Sequence, residues 1–305
     1  MLRGVRLGAR PVLPDGCGAD VGRGGAVSRL HVVHTSTFRY AQPVQASYNE
    51  ARMTPLSQPG QQVLSSRLEA QPHTWSHEYR DYWGTHVTAF EVLAPHTGLV
   101  LTAEHVVEVA PRPSRSLDVG WDLLHGAEVR DRFAELLADG PTTTVPDEVV
   151  ALARAAADGL APAAAAEAVC LAVRDGLEYV PGVTTVHTPA AEAWARRTGV
   201  CQDMAHLALG ALRSVGIPAR YVSGYLHPDA SGEIGRTVTG ESHAWVEWWT
   251  GEWCGFDPTN RVAVGEHHVV LGRGRSYDDV PPLRGIYAGP PTEDLVVQVR
   301  ITREA

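Results

Sequence analysis

The chain has 305 residues, 44% apolar and 20% charged, the make-up of a globular protein with one large or two modest domains. No lysine occurs: arginine fills all 26 basic positions against 35 Asp and Glu, and the net charge of -9 speaks against a nucleic-acid or anionic-membrane surface. No apolar run approaches a membrane span. The four cysteines (Cys17, Cys170, Cys201 and Cys254) contain no CxxC, so neither a zinc site nor a disulfide framework is suggested; a reducing, cytoplasmic setting without metal or other cofactor is expected.

Residues 1–28 are rich in Gly and Arg and lack periodicity, which predicts a disordered tail. No apolar stretch of signal-peptide length follows Met1-Leu2-Arg3, and the segment reads as an over-extended translation start with the native one near Val27. The text then changes to short strands: Leu30 to Tyr40, Tyr48 to Thr54, Gln62 to Ala70, His73 to Asp81, Thr85 to Leu93 and Leu99 to Val109. Pro and Gly punctuate them, the pattern of a β-sandwich or small barrel, and this N-terminal β domain is bounded at 29–112. Its histidines, His73 and His77 included, show no spacing that would converge on a metal in strands.

Pro111 and Pro113 end the last strand, Val119 to Leu137 has helical character, and Gly140-Pro141 breaks it, which makes 113–145 a helical linker. A unit over 146–305 follows. Pro146, with Asp147 and Glu148 in the first turn, starts a helix running towards Gly159. An Ala-rich helix from Pro162 carries Cys170 in its apolar pattern, as core.

The stretch from Gly199 to Asp257 holds the chemistry. From Cys201, the residues Met204, Ala205, Ala208, Leu212 and Val215 recur at helical steps, and Gly216-Ile217-Pro218 ends the run after about four turns. Cys201 therefore lies in the first turn, where unpaired N–H groups and the positive dipole end favour a thiolate. His243 to Trp249 and Trp253 to Asp257 read as a hairpin around Thr250-Gly251-Glu252. If Trp248 faces Glu252, His243 sits directly opposite Asp257; if Trp249 and Trp253 close the turn, the two are diagonal neighbours. Either register puts them on one face, about 4.5–8 Å apart at Cβ, whereas a two-residue turn would separate them. Cys254 points to the other face, into the core. His267-His268 reads as an ordinary pair in a strand.

Four blocks in order, Gly199-Val-Cys-Gln-Asp-Met-Ala-His206, Gly216-Ile-Pro-Ala-Arg-Tyr-Val-Ser-Gly-Tyr225, Ser242-His-Ala-Trp-Val-Glu247 and Phe256-Asp-Pro-Thr-Asn260, resemble the bacterial transglutaminase-like superfamily. The resemblance implies an α+β fold, with an N-terminal β-sandwich-like domain and a papain-like core in which a nucleophile helix packs on an antiparallel sheet. The first half is similar to the N-terminal domain that accompanies such cores, with Asp81-Tyr82-Trp83-Gly84-Thr85 where the family has Asp-x-Phe-Gly-Asn. Gly272 to Gly285 resembles a loop near the cleft, reading Gly-Arg-Ser-Tyr for the family's Gly-Arg-Asp-Tyr. It makes Arg275, Tyr277 and Asp278 substrate-contact candidates, beside Gln202 of the cysteine block. Trp194 is read either as an indole donor to an oxyanion or as packing before the helix. Asp203 is read as favouring the helix dipole.

The implied triad is Cys201, His243 and Asp257: nucleophile, base and the group that orients the base. A protein or peptide amide would form an acyl-thioester on Cys201, and an amine or water would take the acyl group. Two alternatives share these residues: a cysteine protease or amidase, and a non-catalytic interaction scaffold.

Overall fold

The computed structural model of the chain describes residues 27–110, 119–228 and 233–305. The tail expected over 1–28 lies outside the described residues up to position 26, and so do 111–118, where the expected linker begins. Strands β1 (Ser28–Val44), β2 (Ala46–Ala51), β3 (Gln61–Gln71), β4 (Trp75–Arg80), β5 (His86–Val92) and β6 (His96–Val109) come first. β1 alternates buried and half-buried positions from Ser28 to Thr37, so each second side chain enters the core.

The middle of the chain is mainly helical: α1 (Trp121–Leu124), α2 (Ala127–Arg132), α3 (Ala134–Leu137), α4 (Asp147–Ala157), α5 (Pro162–Asp175), α6 (Ala190–Arg196) and α7 (Cys201–Ser214). Two short strands, β7 (Glu178–Tyr179) and β8 (Thr198–Gly199), pair beside the start of α7. Then come β9 (Ala219–Leu226), β10 (Thr237–Trp249), β11 (Trp253–Asp257), β12 (Val262–Ala263), β13 (His268–Gly274), a single 3-10 turn at Tyr277–Asp279, β14 (Leu283–Ala288) and β15 (Thr292–Arg303).

A nine-stranded sheet runs β12-β11-β10-β15-β1-β6-β3, with β9 paired to β10 and β13 paired to β9, and a four-stranded sheet runs β14-β2-β5-β4. Tyr40, Val44, Phe90, Leu99 and Leu101, from strands of both sheets, form a buried cluster with Met53 of the loop after β2, which makes the N-terminal region a sandwich. The boundary expected at 146–305 needs correction. β14 pairs with β2 and β15 pairs along β1, so the last two strands complete the sandwich instead of closing the second unit. Backbone pairing is the reason, because β1 without β15 would leave a row of donors and acceptors open.

α7 is the hub of the second unit. It packs against α4, α5 and α6, and against β9 and β10. Met204, Leu207, Leu209 and Leu212 are fully buried, each contributing about 2 kcal/mol of transfer free energy. Arg213, near the helix end, donates to the carbonyls of Leu136, Ala138, Ala219 and Arg275 and to Thr143 Oγ1, tying the linker helices and the loop after β13 to the helix. The two units share one sheet through the pairing of β10 with β15, and Gln61 adds a further tie, its carboxamide exchanging two hydrogen bonds with the backbone of Val270 at 2.8 and 2.9 Å.

Gly210 is the closest approach on α7. A Cβ there would lie 2.2 Å from the Thr143 carbonyl oxygen and 2.5 Å from Val145 Cγ1. Glycine costs a helix interior about 1 kcal/mol against alanine, yet here the larger residue has no room. Gly210→Ala is expected to destabilise the protein by about 1–3 kcal/mol, read as a lower urea midpoint at unchanged slope.

Candidate active site

Cys201 occupies the first position of α7, after Val200 in extended conformation. The two residues after it spend their side chains on holding this helix start. Asp203 Oδ2 accepts the Val200 N–H at 2.8 Å and the Thr184 hydroxyl at 2.6 Å. Asp203 is therefore a cap that also holds a neighbouring loop, a role beyond the dipole effect expected of it. Gln202 Nε2 donates to the Val186 carbonyl at 2.9 Å, so its amide fastens the same loop.

His243 lies on β10 opposite Gly224 of β9. Gly224 must be glycine for space, since a Cβ would come within 2.1 Å of the Val269 carbonyl oxygen and 2.4 Å of the Trp245 ring. The β10–β11 hairpin takes the register in which Trp249 pairs with Trp253 around Thr250-Gly251-Glu252, the diagonal option of the two. His243 Nε2 donates to Asp257 Oδ2 at 2.7 Å. The ring also feels Cys201, and with Nε2 given to Asp257, Nδ1 is the nitrogen left for the thiol. Burial opposes a charge on this imidazole, but the hydrogen bonds and negative charges of Asp257 and Cys201 outweigh it and raise its pKa to about 10.

Asp257 is wholly buried. Burial alone would raise its carboxyl. Hydrogen bonds from His243 and His268, the charge on His243 and a hydrogen bond from Asn260 hold it well below the usual carboxylate range instead. Asn260 donates its side-chain N–H to Oδ2 at 2.7 Å and its backbone N–H to Oδ1 at 3.2 Å. His268 Nε2 lies 3.4 Å from Oδ2. Sequence reasoning missed both. Asn260 was present in the last motif block and gave a signal, whereas His268, read as an ordinary strand histidine, gave none.

The remaining candidates fall elsewhere. Trp194 is buried, with its indole N–H committed to Glu148 Oε2 at 2.9 Å and the Arg197 guanidinium 3.9 Å over its ring. Packing, the second of its two readings, describes it, and the indole has no hydrogen left for an oxyanion. Arg275 pairs with Asp279 at 3.0 Å and lies 5.6 Å from the Trp83 ring centroid, so it braces its own loop. The Tyr277 backbone N–H donates to His206 Nε2 at 3.1 Å, and the Tyr277 ring meets Tyr221 edge-on at 6.4 Å. Asp278 is exposed on the 3-10 turn, its backbone N–H bonded to Ser276 Oγ. Tyr221 and Tyr179 both feel the charge of Cys201, although burial is the larger cause of their raised pKa values. Among the described residues no cluster of His, Cys, Asp and Glu could hold a metal ion. A cleft of about 770 Å³ lined by Trp121, His125, Leu137, Arg154 and Val215 opens at the far end of α7 from Cys201 and belongs to different residues.

Residues 30–108 match the bacterial transglutaminase-like N-terminal region, and residues 150–258 match the transglutaminase-like superfamily. A Mycobacterium leprae protein, ML0607, is 46% identical over 277 residues, covering 91% of this chain and 99% of that one. The chain belongs to the transglutaminase-like superfamily. A Mycobacterium tuberculosis protein, Rv2569c, is 35% identical over 90% of this chain and 91% of its own length. A Pseudomonas aeruginosa protein-glutamine gamma-glutamyltransferase is 34% identical over 160 residues, 46% of this chain but 23% of that protein. Among solved structures, a candidate cysteine protease from Cytophaga hutchinsonii superposes with a TM-score of 0.71 at 18% identity, covering 91% of both chains. The fold of this superfamily member is thus α+β, with a sandwich-like N-terminal region and the helix-on-sheet core of the papain-like kind.

Asp257→Asn tests the electrostatics. The folded-state pKa of His243 is raised, from 6.5 to about 10. Its contribution to stability is therefore complete below pH 6.5 and lost as pH rises through about 10. The difference in thermal midpoint between wild type and Asp257→Asn is expected to be largest near pH 6 and to shrink towards pH 10.

Proposed function

We propose that the protein is a thiol acyltransferase or hydrolase in which Cys201 is the nucleophile, His243 the proton carrier and Asp257 the group that orients it. The observation that carries this reading is one buried imidazole bonded to the Asp257 carboxylate at 2.7 Å and held close enough to Cys201 to feel its charge. His243 beside the sulfur can take the thiol proton and pair with the thiolate as it attacks.

The steps follow from these positions. The thiolate attacks the carbonyl carbon of a protein or peptide amide, forming a C–S bond. The backbone N–H of Cys201, at the first helical position and without an intrahelical acceptor, suits the developing oxyanion. His243 gives its Nδ1 proton to the departing nitrogen as the C–N bond breaks, leaving an acyl-thioester and a neutral imidazole. The imidazole then takes a proton from the incoming amine or water, whose nitrogen or oxygen replaces sulfur on the acyl carbon. The thiolate and imidazolium return together. An amine acceptor gives transamidation, and water gives deamidation or peptide cleavage.

The name of the Pseudomonas relative favours a glutamine carboxamide as acyl donor. Because the sequence contains no lysine, it cannot supply a lysine amine for an isopeptide bond from its own side chains. Cys170 and Cys201 are free thiols, which suits a reducing, cytoplasmic setting.

The test is the pH dependence of iodoacetamide alkylation with peptide mapping, on wild type and His243→Ala, followed by incorporation of a labelled primary amine into glutamine peptides. Cys201 should react faster than Cys17 at pH values where free thiols are protonated, and the advantage should vanish in His243→Ala. Proton transfer by a positioned side chain is worth about 10²–10⁴-fold, so His243→Ala should lose turnover by that factor. Labelling of Cys201 no faster than Cys17 would overturn the enzyme reading in favour of an interaction scaffold.

A further inference from the structure

Asp257 receives more donors than a group that only orients His243 requires. Its Oδ2 faces His243 Nε2 at 2.7 Å, Asn260 Nδ2 at 2.7 Å and His268 Nε2 at 3.4 Å, and its Oδ1 takes the Asn260 backbone N–H at 3.2 Å. Asp257 is 0% and His268 5% exposed, so water does not compete for these contacts.

The tautomer of His268 is set by the local backbone. The Gly265 N–H points at His268 Nδ1 from 3.3 Å, which makes Nδ1 an acceptor and leaves the ring proton on Nε2, directed at Asp257. The ring is also clamped edge-on against Trp245, with centroids 5.2 Å apart and planes at 76°. Trp245 lies on β10 two residues from His243, and His268 is the first residue of β13, paired with Leu226 of β9. Three adjacent strands therefore fix a second imidazole against the carboxylate that holds the first.

We propose that His268 is a positioning residue for the thiol chemistry: as a fixed Nε2–H donor it takes up part of the hydrogen-bonding capacity of Asp257 and so limits how tightly that carboxylate holds the proton of His243. The proposal rests on the triad reading above and acts through Asp257, without contact to substrate. The physical basis is that each donor to a carboxylate lowers its basicity. A less basic Asp257 still orients the imidazole, but lets it release its Nδ1 proton to a departing nitrogen more readily. The other charged or titratable groups facing the pair are Cys201, from α7, and Arg174, from α5. Arg174 feels the charge of Asp257 and is bonded to the carbonyls of Thr259 and Leu177 at 3.0 and 2.7 Å.

Two substitutions separate the two edges of the ring. His268→Gln keeps a donor N–H at the position of Nε2 and loses the acceptor for Gly265, whereas His268→Asn keeps an acceptor near Nδ1 and loses the donor to Asp257. The measurement is the titration midpoint of the His243 ring by ¹⁵N NMR on full-length protein carrying Cys201→Ala, so that His243 is read against Asp257 without the thiol. The midpoint is expected to rise by about half a unit, roughly threefold in proton affinity, in His268→Asn, and to stay at the parent value in His268→Gln. Midpoints that move equally in both variants, or only in His268→Gln, would mean that His268 merely supports the Gly265 turn, and the proposal falls. Should His268→Asn fail to fold, a His268→Gln midpoint displaced from the parent value still overturns it. Failure of the thiol reading is read separately, as slow alkylation of Cys201 in wild type, because the NMR midpoint does not depend on turnover.

Discussion

A carboxylate with no exposure to water is stable only where donors replace the water it has lost, and Asp257 sets that condition for the centre of this molecule. The donors come from three separate elements: His243 on β10, Asn260 just after β11, and His268 at the head of β13. Removing one partner of a buried charge costs several kcal/mol, far more than a surface ion pair is worth. The order of β9, β10, β11 and β13 is therefore bound to the chemistry of the site, and the sheet cannot slip without stranding the charge. The same field that makes Asp257 costly to bury makes it effective in holding a proton on His243.

The nucleophile is fixed by a different principle. α7 is buried along nearly its whole length, and its start is held by side chains that face away from the reaction. Asp203 and Gln202 fasten the loop carrying Thr184 and Val186, while His206 and Arg213 fasten the loop carrying Arg275 and Tyr277. Each uses a side-chain group to satisfy backbone or hydroxyl groups that would otherwise be stranded along α7. The walls of the site are thus hung on the helix that bears the thiol, and a shift of the helix carries them with it.

Much of this was legible in the residues. The apolar steps after Cys201, the break at Gly216 and the alternation of the early strands reflect local rules, and they located α7 and the sandwich strands. The hairpin narrowed the placement of His243 and Asp257 to one face, because side chains two apart along a strand share a side whatever the choice between the two registers. What escaped was non-local. Nothing near His268 in sequence tells that its ring meets Asp257, since that contact needs β13 to cross over and pair with β9. Nothing near Leu295 tells that its strand runs beside β1. Trp194 drew attention for what an indole can do in a site, but Glu148, far upstream, takes its hydrogen.

The partnership of β1 with β15 reaches into the order in which the protein is made. β1 is the first described strand to leave the ribosome, and β15, which lies against it from Leu30 to Tyr40, is the last. Until β15 arrives, β1 has β6 on one side and an open row of backbone groups on the other. Contacts of such long sequence separation form slowly, so for most of its synthesis the nascent chain carries an unfinished sheet edge, the kind of surface that chaperones protect and that recruits a second copy when they do not.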